Sequence, residues 1–141
     1  MAEPLYRLLY RSKVAILGTT EEVRAEVAAI LAGARRHNAA AGLTGALLHE
    51  GATFTQVLEG ELPALEEAYD RISADLRHTE FELMQFALVP ERGFGGEALA
   101  FLAPAELDAA GLAAPGDAAD AANGVLRRMA AILGRQQAAP G

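Results

Sequence analysis

The chain has 141 residues, enough for one domain around one hydrophobic core, and 52% of them are hydrophobic. Its 12 Lys plus Arg against 19 Asp plus Glu give a net charge of −7, which argues against nucleic acid as a partner, because phosphate affinity needs clustered cations. Without cysteine there are no disulfides, thiolate metal sites or thiol nucleophiles. Apolar runs are interrupted well short of the roughly 20 residues of a bilayer span, so no membrane attachment is expected. The start, MAEPLYRLLYRSK, lacks the basic head and cleavage site of a signal peptide, and a cytoplasmic location is expected.

Residues 5 to 11, LYRLLYR, read as a strand. Thr19 and Glu22 have the spacing of a capping box, and Val23, Val27, Ile30, Leu31 and Ala34 recur at helical spacing, predicting a helix over 20–37. GLTGALLHEGATFTQVLEG reads as a hairpin around His49 to Ala52. Pro63 suits a first helical turn, and Leu65, Ala68, Tyr69, Ile72 and Leu76 extend the pattern, predicting a second helix over 63–76. A buried strand over 81–89, a break over 90–96 and a strand over 97–102 complete the order βαββαββ. This is an α+β sandwich with a mixed sheet and both helices on one face. The alanine-rich remainder predicts a short helix at 104–110 and another over 117–134, whose apolar stripe at 125, 126, 129, 132 and 133 suits the free face of the sheet. Residues 4–102 are thus the core domain, 103–135 a helical extension and 136–141 a flexible tail.

Several chemistries lack their atoms. His37, His49 and His78 are far apart, so no metal site is expected; no glycine-rich phosphate loop occurs; and Ser12 and Ser73, the two serines, lie outside any nucleophile motif. What remains is polar residues in apolar surroundings. In FTQVLEG, alternation puts Phe54, Gln56 and Leu58 on one face, so the Gln56 amide faces the core and needs partners. Tyr10 shares a face with Leu8. The plain packing account has Gln56 capping a loop and Tyr10 bonded to backbone.

LYRLLYRS, RRHNAAAGLTGALL, FTQVLEG and DLRH, in this order and spacing, resemble the BLUF family of flavin-binding blue-light sensors over residues 4 to 102. The resemblance implies a ferredoxin-like sheet with FAD, or FMN in recombinant protein, between the two helices. It implies Tyr10 as electron donor to the excited flavin and Gln56 as the hydrogen-bond switch. Asn38 would bond the pyrimidine side of the ring, with His37 beside it, and Ile30 and Ile72 would sandwich it. Phe54 joins Gln56 at the site, and Arg71, Asp75, Arg77 and His78 lie near positions used around the ring edge, ribityl chain or phosphate. Tyr6 and Tyr69 are read as an outward strand residue and a helix-packing residue.

The family's frequent tryptophan and methionine on the last strand are replaced here by Glu97 and Leu99, and Glu97 is expected to face solvent. The connection after Tyr10 looks longer than usual. The resemblance is to short stand-alone members, which points to a photosensory module rather than an enzyme, with a homo-oligomer or a separate downstream protein receiving the signal. The competing readings are a flavin-free oligomerisation module and a small α+β hydrolase.

Overall fold

The computed structural model describes residues 3–102 and 118–138. Eight elements follow one another: β1 (Leu5–Val14), α1 (Thr20–Ala41), β2 (Thr44–Glu50), β3 (Thr53–Gly60), α2 (Leu62–Ser73), β4 (His78–Val89), β5 (Ala100–Leu102) and α3 (Ala118–Ala138). The sheet order is β4-β1-β3-β2-β5, with β5 parallel to β2 and the other neighbours antiparallel. Two split βαβ units therefore interlock, and each helix crosses the same face. The expected α+β sandwich and mixed sheet are present.

Local chemistry explains the boundaries. Both bonds of the Thr19–Glu22 capping box form, each at 3.1 Å. α1 passes the predicted end at 37 because Ala39 to Ala41 propagate it, and it stops where Gly42 takes a left-handed conformation (φ 72). Gly51, with φ 60 at the first position of a two-residue turn, joins β2 to β3. α2 ends at Ser73 rather than 76, and Leu76 is exposed. β1 extends to Val14, and β4 begins at His78 rather than 81. β5 is confined to Ala100–Leu102, with Glu97 exposed ahead of it. The short helix expected at 104–110 lies outside the described residues. α3 continues to Ala138 rather than stopping near 134, so Gln136 and Gln137 are helical, not part of a loose tail.

Two irregularities in the β1–β4 pairing matter for the site. Arg11 and Lys13 face Glu82 and Thr79, and Leu9 and Tyr10 face Gln85 and Leu83, so β4 holds one extra residue at each place. Glu80, in the first bulge, has φ 52. His78 and Phe81, three residues apart, would face opposite sides of a regular strand; the extra residue puts both against Tyr10.

Alternation sorts the core into two layers. Leu8, Tyr10, Leu47, Phe54 and Leu58 meet Val27, Leu65 and Ala68 on the face under α1 and α2. Leu9, Ala46, Leu48 and Val57 meet Leu126, Met129 and Ile132 of α3 on the other. Tyr6 does not point outward as expected: it is half-buried on the α1/α2 side and stacks on Phe86, with ring centroids 5.6 Å apart.

Candidate functional site

A pocket of about 450 Å³, within the range of small-ligand sites, opens between α1, α2 and the sheet. Ala29, Gly33 and Ala34 make the α1 wall shallow, and Ile30 and Ile72 reach in from the two helices. Arg36, His37, Arg71 and Arg77 also line it, placing three guanidinium groups on the wall of this acidic protein, while Tyr10, Leu47, Phe54, Gln56, Asp75 and His78 complete the lining. The residues singled out in the sequence converge here except for Asn38. Asn38 is buried at the end of α1, and its Nδ2 donates to Ala98 O at 2.9 Å.

Tyr10 and Gln56 are directly opposite in the β1–β3 pairing. Tyr10 is 1% and Gln56 3% exposed, and the phenol donates a short hydrogen bond to Gln56 Oε1. The two buried polar groups thus satisfy each other, and neither caps a loop nor bonds to backbone as the plain account had it. The Gln56 Nε2–H donors remain for a ligand in the pocket. Burial pushes the Tyr10 phenol far above its ordinary range, with Tyr69 and the Asp75 carboxylate adding to the effect, so the phenol stays neutral.

Rings enclose the phenol: Phe81 at 5.7 Å between centroids, Tyr69 edge-on at 6.1 Å and His78 at 6.4 Å. At the mouth, Arg77 forks onto Asp75 (Nη2 to Oδ2, 2.7 Å) and reaches Glu26 of α1 at 3.4 Å. Hydrogen bonds from Arg77 hold the Asp75 carboxyl below its usual range despite partial desolvation. Burial pushes His78 down, against the opposing pull of Asp75, so the imidazole is neutral near pH 7.

The sequence reading missed Ser12, whose Oγ lies 2.9 Å from His78 Nδ1. Its signal was available, since Ser12 is two residues beyond Tyr10 and shares its face. It also passed over the glutamate of LEG. Glu59 is fully buried, accepts from Arg7 Nε and Nη2 at 3.0 and 2.9 Å, and accepts from the backbone N–H groups of Gly93 and Phe94, both at 2.8 Å. Arg92 adds bonds to Thr44 Oγ1, Glu59 O and Gly42 O. These residues tie the β4–β5 connection to the end of α1.

A split-βαβ sheet with a slot between two helices, floored by a buried Tyr–Gln pair, is the arrangement of a small-molecule-binding domain. The family model for BLUF, sensors of blue-light using FAD, matches residues 5–100, and the chain belongs to that family. BLUF domains bind flavin. The photoactivated adenylate cyclase subunit beta of Euglena gracilis is 39% identical over 74 residues, which cover 52% of this chain and 9% of that protein. The chain spans about a tenth of the length of the curated relatives it matches. Among solved structures, the dark state of BlrB, a BLUF protein, is 29% identical with a TM-score of 0.74, covering 93% of this chain and 98% of that one. BlrP1 of Klebsiella pneumoniae, solved with FMN and cyclic diGMP, is 32% identical with a TM-score of 0.61 over 70% of this chain and 25% of its own. Among the described residues, no helix is long and apolar enough to cross a membrane.

Proposed function

We propose that this protein is a blue-light photoreceptor that holds FAD non-covalently between α1 and α2 and switches the Tyr10–Gln56 hydrogen bond. The observation that carries this reading is that buried pair at the floor of a pocket whose shallow wall and two isoleucines suit a flat ring. Ile30 and Ile72 would sandwich the ring, with Phe54, Gln56 and His78 beneath it. Arg36, His37, Arg71 and Arg77, with Asp75, would hold its polar chain; the two donors of the Asn38 amide would let it bridge Ala98 O and the ring edge. The bound flavin supplies blue-light absorption and, once excited, a strong oxidant.

Tyr10 would be the electron donor to the excited flavin; its neutral phenol would release its proton through the bond to Gln56 as the electron leaves, and electron and proton would both return to Tyr10, so that only the hydrogen bonding of Gln56 is left changed. With the chain free of cysteine and tryptophan, neither a cysteinyl adduct nor a tryptophan relay is available. Gln56 then rearranges and offers its amide donor differently to the pocket. The protein has no turnover of its own in this reading: residues 4–102 sense light, and the output is a changed contact with a second copy or a separate cytoplasmic protein.

The test is the absorption spectrum of purified protein in the dark and directly after blue light. A structured flavin band that moves to the red and recovers in darkness supports the reading. Protein that stays colourless after refolding with FAD overturns it in favour of a flavin-free module.

A further inference from the structure

We propose that Ser12 is a positioning residue for the photochemical site, fixing His78 as the Nε2–H tautomer so that one neutral donor is presented beside the Tyr10–Gln56 pair. The proposal rests on the flavin-binding reading for its consequence, but not for its geometry. Ser12 is 1% exposed, and its hydroxyl has one described partner, His78 Nδ1 at 2.9 Å. Were Nδ1 protonated, it would donate to Ser12 Oγ and leave the serine O–H as a buried donor without an acceptor. With Nδ1 bare, the serine donates, both groups are satisfied by the single bond, and the imidazole's one proton must be on Nε2.

Neutrality of the ring follows from its surroundings. Ser12 and Tyr10 of β1, Phe54 of β3 and Phe81 of β4 pack around it, and His78 to Phe81 is the closest ring contact at 4.6 Å. Two opposite charges face it from the chain after α2, the Asp75 carboxylate and the Arg77 guanidinium, and they are bonded to each other. Burial therefore decides, and the neutral form prevails. The bulge at Glu80 brings the imidazole to this face, and the Ser12 hydroxyl fixes its rotation. The Ile72 backbone carbonyl also bonds the ring, and with Nδ1 turned to Ser12 the proton that meets it is the Nε2–H; because His78 lines the pocket, an oxygen acceptor of the bound flavin would share or displace that carbonyl.

The experiment is two-bond nitrogen–proton NMR of the imidazoles in the FAD-loaded protein, with dark-recovery kinetics on the same samples. Wild type and Ser12→Thr are expected to show His78 as the Nε2–H tautomer. Ser12→Ala is expected to reduce that preference by about tenfold, the worth of one buried hydrogen bond, and to change the recovery rate. An Nδ1–H or doubly protonated His78 in the wild type at neutral pH overturns the proposal even if Ser12→Ala does not fold. Unchanged tautomer and recovery in Ser12→Ala overturn it as well. A wild type that binds FAD but shows no red shift refutes the photosensor reading instead, leaving the tautomer result to stand on its own.

Discussion

The role proposed for the Tyr10 phenol rests on two constraints that act together: burial keeps it protonated, and Gln56 Oε1 accepts its hydrogen bond. Tyr69 is as well placed among the rings but does not line the pocket, so it does not substitute. Tyr10→Phe and Gln56→Leu are each expected to keep the flavin and abolish the light-induced red shift, read by difference spectroscopy. Glu80 carries the backbone cost of aiming His78 and Phe81, since a left-handed non-glycine residue costs roughly 1 to 2 kcal/mol. Its ion pair with Lys13, more than half exposed on both sides, returns little. Glu80→Gly should therefore raise stability by about 0.5 to 1 kcal/mol in urea denaturation, and Glu80→Val should lower it by more than about 1 kcal/mol, because β-branched residues tolerate this conformation worst.

Between elements, the site is framed by side chains that grip backbone. From α1, Arg35 Nε donates to Leu99 O and Asn38 Nδ2 to Ala98 O, both at 2.9 Å, so the segment entering β5 is held by the helix that carries His37. From the far end of β3, Glu59 fixes the β4–β5 connection. Glu59→Ala would strand the Arg7 guanidinium and two N–H groups, and it is expected to cost about 3 to 5 kcal/mol by chemical denaturation. How much of this was legible is instructive. Alternation placed Tyr10 and Gln56 on one face because period two is local information. The predicted end of α1 at 37 falls four residues short, because the alanines at 39 to 41 propagate the helix as far as the left-handed Gly42 and their spacing carries no stop of its own. The bulge at Glu80 left no mark, since it depends on pairing with β1. Glu59 was passed over because most carboxylates are solvated, and its partners lie 52, 34 and 35 positions away.

At the scale of the molecule, the sheet separates two apolar layers, with the proposed flavin pocket in one and α3 closing the other. Met129 is fully buried there, and Met129→Ala is expected to destabilise by about 2 to 5 kcal/mol, measured by thermal or urea unfolding. His78 links the pocket layer to pH. Its folded pKa lies below the unfolded value of 6.5, so the native state binds fewer protons than the unfolded one beneath that pH. Stability is complete above about pH 6.5 and declines as pH falls from there towards the folded pKa. His78→Gln should flatten that part of a melting-temperature profile; the Asp75 contribution is lost only well below this range, under its ordinary 3.8.

The bulge that aims rings at Tyr10, together with the second one between Leu83 and Gln85, also acts on the opposite margin of β4. That strand is the outer edge of the sheet, and it exposes Leu83, Phe86 and Leu88, a combination that invites another chain to add itself. An edge with an extra residue at two places is twisted and out of step with any straight incoming strand, so the same distortion that sets His78 and Phe81 against Tyr10 guards against self-templated aggregation. A chain with residue 80 deleted would lose the bulge that aims His78 and Phe81, and its edge would keep one irregularity, between Leu83 and Gln85, in place of two.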